Sequence, residues 1–273
     1  FYNLSVSSQD LFYNLRNLQI LIHNFSDKIK DLKYVIFDLH KYTYFNYDVS
    51  LSKNAIKYYS WSGFRSNDNH NYNRNKNFTR SIEEELIYNH YLEVSHLPEN
   101  KINLFNKIFC IKNINIVEDY KQLGVYNTFF NDFPEEKVRK NTLSIDDINR
   151  FKKNYKPSSI QLNRFHETIE ENIKLLDIFF KTIFNINPNI KIYFVLIPQH
   201  KVVEDMEKES EHNMKQDFYK IIDYFKKMYN FKLLDFKDYE EISSRNDYYF
   251  DISHLNYKGA EVFTKLLNSY IEY

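Results

Sequence analysis

Two short apolar runs, Leu32 to Phe37 (LKYVIF) and Ile190 to Ile197 (IKIYFVLI), constrain this chain more than any other feature. Both are rich in β-branched and aromatic residues and too short for stable helices, so they read as strands buried on both faces, the usual state of parallel strands. An amphipathic pattern precedes each. Asp10 to His23 places Leu11, Leu15, Leu18 and Leu21 or Ile22 on one helix face, with Asp10 as the N-cap; Ile160 to Phe184 precedes the second run. Met214 to Tyr229 forms a third such helix and leads into a strand at Phe231 to Phe236 (FKLLDF). Tyr257 to Ile271 closes the chain with Phe263, Leu266, Leu267, Tyr270 and Ile271 aligned. Alternating helix and strand predicts an α/β fold: a three-layer sandwich with a central, mostly parallel sheet of the flavodoxin-like kind.

The middle of the chain breaks this rhythm. From about Tyr58 to Lys156 the pattern turns irregular, with a polar stretch at Ser66 to Lys76 (SNDNHNYNRNK) that reads as a loop and helices near Ile82 to Tyr91 and Asp146 to Asn154. The expectation is one domain over residues 1–273, carrying a largely helical or irregular insertion at about 58–156.

Lys plus Arg (37) balance Asp plus Glu (37), so no global field draws the protein to nucleic acid. The single cysteine, Cys110, rules out an internal disulfide and cannot by itself build a structural zinc site. No apolar run reaches the length of a membrane span, and the opening FYNLSV lacks the features of a signal peptide, so the chain reads as starting mid-domain. Compartment stays open between the cell envelope, with an anchor upstream, and the cytoplasm. Phe and Tyr number 24 each against three Gly. That excess is read as filling core and surface generally, not as a sugar-binding groove. There is no Walker loop, dinucleotide fingerprint or metal box, so no cofactor and no metal are expected. His90 and His96 stand six residues apart, which suits neither one helix face nor a zinc loop.

The chemistry-bearing segment is Tyr248-Tyr-Phe-Asp251-Ile-Ser-His254-Leu-Asn256-Tyr-Lys-Gly259, just before the last helix. An Asp three residues before a His on a loop can accept from the imidazole Nδ1, fixing the tautomer and leaving Nε2 as a base toward a hydroxyl. Asp-x-x-His alone is common. Its place at the end of an α/β pattern, where a parallel sheet gathers ligands at its carboxyl edge, favours catalysis over a loop in which both residues merely satisfy backbone groups. His200, two residues after Pro198, can meet substrate at the same edge or sit as a solvated loop residue.

The ending Asp-x-x-His-Leu-Asn-x-x-Gly resembles the last conserved block of SGNH/GDSL hydrolases, especially the branch with alginate O-acetyltransferases and teichoic-acid D-alanine transfer proteins. Ile192 to Pro198, with His200 after it, resembles that family's penultimate strand and Pro-ending loop. Asn3-Leu-Ser-Val-Ser-Ser8-Gln-Asp is similar to the second block, where a backbone amide helps form the oxyanion hole; Ser8 stands where Gly is usual. Lys33 to Lys41 (KYVIFDLHK) falls where the third block's strand runs, without the Gly-x-Asn-Asp that ends it.

The resemblance implies an esterase or O-acyltransferase acting on an acylated carbohydrate or cell-surface polysaccharide, with an acyl donor and a membrane acyltransferase as partner. Asp251 and His254 would be two members of its triad. Two registers supply the third: the family's serine lies upstream of Phe1, or Phe1 to Val6 is the first strand and Ser7 or Ser8 the nucleophile. The rival from another class is an inactive SGNH-like protein that binds glycans or helps assemble polysaccharide.

Overall fold

Strand β1 (Tyr34–Asp38), strand β2 (Lys191–Leu196) and strand β3 (Lys232–Asp235) form one parallel sheet in the order β1-β2-β3. This computed structural model describes residues 9–48, 141–208 and 212–271. Ser7, Ser8, Ser66 to Lys76, Ile82 to Tyr91, His90, His96, Cys110 and most of the expected insertion lie outside them. Register runs Asp38 beside Val195 and Leu196 beside Asp235, so the three carboxyl ends finish together. The pairing continues one residue further on each side, from Leu39 N to Val195 O and from Phe236 N to Leu196 O.

All three expected strands are present, each within two residues of its expected ends. β2 is buried from Ile192 through Leu196, as a central parallel strand must be. Its alternate residues serve two cores: Ile192, Phe194 and Leu196 join one apolar cluster, Val195 the other. The first cluster takes residues from helix α1 (Leu11–Ile29), helix α4 (His166–Ile186) and helix α6 (His212–Lys226). Phe180 sits at its centre, stacked on Tyr229 at 4.5 Å and in contact with Phe194, Phe225 and Phe231. The second cluster takes Phe263 from helix α8 (Tyr257–Tyr270), Ile242 from helix α7 (Glu240–Ser243) and Ile148 from helix α2 (Ile145–Asn154).

Local signals behave as their chemistry dictates. Asp10, fully buried, caps α1 by accepting from Tyr13 N at 3.0 Å, and Leu11, Leu15 and Leu18 are buried along one face. The helix runs on past His23 because Ile29, 2% exposed, still has core to fill. Ser144 caps α2 by accepting from Asp147 N, and Asp146 and Asp147 occupy its electropositive first turn.

One expectation needs correcting. Ile160 to Phe184 is not one helix: a short α3 (Ser159–Leu162) ends at an extended Asn163 before α4 begins. The cause lies far away in sequence. Asn46, 2% exposed, donates to Ile160 O and Asn163 O at 2.7 Å each and accepts from Phe165 N at 2.7 Å. Its side chain takes over the backbone groups that the break would orphan. Asp48 likewise accepts from Thr168, and Asn172 donates to Phe45 O and Tyr47 O.

Among the described residues the architecture is mixed α/β with a parallel three-stranded sheet, and no helix is long and apolar enough to cross a membrane.

Candidate active site

Asp251 ends strand β4 (Tyr249–Asp251) and His254 begins strand β5 (His254–Leu255), an antiparallel pair joined by a tight turn. The carboxylate organises that turn. Asp251 Oδ1 accepts from Ser253 N at 2.8 Å and His254 N at 2.9 Å, and both carboxylate oxygens lie 2.9 Å from His254 Nδ1. An Nδ1–H donated to Asp251 fixes the tautomer whose Nε2 is a free base, and no described residue bonds that Nε2. The pair stays open to solvent, with side chains 55% (His254) and 44% (Asp251) exposed.

The rest of the motif builds the platform. Asn256, 3% exposed, caps α8 by accepting from Gly259 N at 3.0 Å. Its amide donates to Asp247 O at 2.8 Å and Asn141 O at 3.2 Å. Gly259 is required by space: a Cβ there would lie 2.1 Å from Tyr248 O. Leu-Asn-x-x-Gly is therefore the device that clamps the start of α8 against the chain before β4, and so fixes the Asp251–His254 turn. Upstream, Leu143 N donates to Tyr249 O, tying the chain before α2 to the same strand.

His200 is placed differently. It is 3% exposed, not solvated, and caps the short helix α5 (Lys201–Glu207). Nδ1 accepts from Val202 N at 3.3 Å, Nε2 lies 2.9 Å from Asn246 Oδ1, and the ring meets Tyr249 edge-on at 5.2 Å. Burial pushes its pKa below the ordinary value, partly offset by the Asn246 bond. Both ring nitrogens are committed to the fold, which leaves none for a substrate in this arrangement.

The carboxyl end of β1 carries groups to which the sequence assigned no role. Leu39 is fully buried, and Lys41 Nζ pairs with Glu207 at 2.7 Å, so His40 between them is thrown outward. Lys41 N donates to Leu39 O at 2.6 Å, which closes a γ-turn on His40, and His40 has φ 56°. Such a turn is rare and strained for a residue with a Cβ. Asp38 holds it by accepting from His40 N at 2.7 Å.

Water reaches both Asp38 and His40. Protein nevertheless crowds them, and this desolvation raises the Asp38 carboxyl above the ordinary range, against the opposing His40 amide and Lys237. The same crowding lowers His40, with Lys41, Lys237 and His254 adding positive charge nearby. Lys237, 1% exposed, follows β3 and pairs with Glu204 of α5 at 2.6 Å and Gln199 at 2.8 Å. Asp-x-His ending an apolar run is the signal that could have drawn attention to this edge.

An open cleft of about 570 Å³ runs beside the pair. Asp251 and Ile252 wall it on one side, and Lys41, Glu207, Phe151 and Tyr155 are among its other walls. Ser158 is the serine lining it among the described residues, and its hydroxyl is bonded to Gln161 in the capping of α3. The chain matches no family model, no curated protein and no solved structure.

Proposed function

We propose that this protein is an SGNH-type esterase or O-acyltransferase acting on an acylated carbohydrate or polysaccharide, with His254 as base and Asp251 as its orienting acid. One observation carries this reading: a carboxylate with both oxygens 2.9 Å from Nδ1 of a histidine whose side chain is half exposed and whose Nε2 no described residue bonds. Supporting it, Asp251 lines a cleft and Tyr249 of the same strand donates to Pro198 O, just past the carboxyl end of β2, where such folds gather their ligands. A three-layer arrangement of the sheet between helices belongs to the same reading, and the division of β2 between two apolar clusters agrees with it.

In the reaction a serine hydroxyl attacks the ester carbonyl while His254 Nε2 takes its proton and Asp251 stabilises the imidazolium. His254 then returns that proton to the departing alcohol, leaving an acyl-enzyme. Water or a sugar hydroxyl, deprotonated by the same Nε2, carries the acyl group away. The serine is Ser7, Ser8 or a residue upstream.

Labelling of the full-length protein with a fluorophosphonate probe tests this. A stoichiometric adduct on one serine, lost in His254→Ala, is the expected result. No adduct on the folded protein would overturn the reading and favour a glycan-binding role.

A further inference from the structure

His40 keeps a positive φ, a costly geometry for a residue with a Cβ, and the packing of Leu39 and Lys41 that fixes this turn makes no use of the imidazole itself. The chain is held on both sides, by buried Leu39 and by the Lys41–Glu207 pair, while the imidazole itself stays accessible. A non-glycine residue kept in the left-handed region with its side chain outward points to a function for that side chain. Its location narrows the function. Lys41, the next residue, and Asp251, the partner of His254, line one cleft.

We propose that His40 donates a hydrogen bond from its ring N–H to the carbonyl oxygen of the acyl group as that oxygen becomes anionic. This rests on the esterase or acyltransferase reading above. As the serine oxygen bonds to the carbonyl carbon, the C=O π pair moves onto oxygen and the hydroxyl proton passes to His254. His40 keeps its own proton throughout. When the C=O bond re-forms, the bond to the leaving alcohol breaks and the alcohol takes the proton from His254.

Two histidines serving one reaction can divide these duties only if they differ in charge behaviour. Lys41, Lys237 and protonated His254 all oppose a second positive charge on His40, and crowding opposes it further. A neutral imidazole still has one N–H to give, and it does not compete with His254 for the serine proton.

The test is hydrolysis of p-nitrophenyl acetate by the full-length protein and three variants. His40→Gly removes the imidazole and suits the left-handed backbone, so its melting temperature should not fall. Its kcat should drop roughly 10²–10³-fold, with KM changed by no more than about threefold. His40→Asn tolerates the same backbone and restores a donor, so it should recover at least about tenfold over His40→Gly. His254→Ala is the control on the underlying reading. If His254→Ala abolishes turnover while His40→Gly stays within about twofold of wild type, the His40 role is overturned and the esterase reading stands. Wild-type turnover that survives His254→Ala, or is absent altogether, overturns the reading itself and this proposal with it.

Discussion

His200 and His254 each follow the end of a strand, and the two regions use the imidazole in opposite ways. At His200 the ring is buried under Tyr249, with one nitrogen on Val202 N and the other on Asn246. At His254 one nitrogen faces a carboxylate, and no described residue bonds the other on this half-exposed side chain. The first histidine holds a short helix start in place; the second is held in place by a turn and a helix start that other residues build. A histidine near a sheet's carboxyl edge is thus no guide to chemistry until its nitrogens have been accounted for one at a time.

The sharpest way to break this contrast is at His254. His254→Ala should lower ester turnover by about 10³-fold or more while leaving the melting temperature nearly unchanged, because the side chain is half in solvent. Asp251→Asn should lower kcat by roughly 10²–10⁴-fold, since the turn survives but the tautomer is no longer fixed. Turnover and thermal melting measured on the same preparations check both.

Gly259→Ala should cost roughly 2–4 kcal/mol, because the added Cβ meets the Tyr248 carbonyl and one of them must move. Urea unfolding at equilibrium reads it directly. If stability were unchanged, the clamp that positions His254 would be misdescribed. His200→Ala should cost about 1–2 kcal/mol through the lost cap and lost ring packing, and leave kcat unaltered. A fall in kcat at unchanged stability would erase the contrast.

The smallest effect is on pH. His200 has its pKa below 6.5 in the folded state, so on acidification the unfolded chain takes up its proton first. Stability is therefore lost as pH falls from the ordinary histidine value toward the depressed one. Between about pH 7.5 and pH 5.5 the wild-type melting temperature should fall further than that of His200→Asn. Equal falls would show that His200 is not the group responsible.

How much of this could be read from residue order follows from the range of the forces involved. Strand β2 was legible because a strand buried on both faces must be apolar throughout, β1 and β3 from their short apolar runs although Ile36 is exposed and neither strand is buried along its length, and the Asp10 cap because it acts within one turn. The Asp251–His254 contact spans three residues, so its spacing alone could suggest it. The break between α3 and α4 could not be foreseen, since its cause, Asn46, lies 114 residues before Ile160. Nor could the burial of His200, which depends on Asn246 and Tyr249, or the strained turn at His40, which needs Leu39 in the core and Glu207 on Lys41. Local chemistry was readable; positions fixed by distant partners were not.

The bonds made by Asn46 and Asp48 join parts of the fold that lie on either side of residues 49–140 in sequence. The fold before that stretch is joined to Ile160, Asn163, Phe165 and Thr168, and the fold after it is joined to Tyr249 through Leu143 and to Asn256 through Asn141. Both anchorages are made by residues outside the stretch. A change at Asn46, one residue among 273, would therefore be felt at once on the far side of that stretch, in the backbone of Ile160, Asn163 and Phe165.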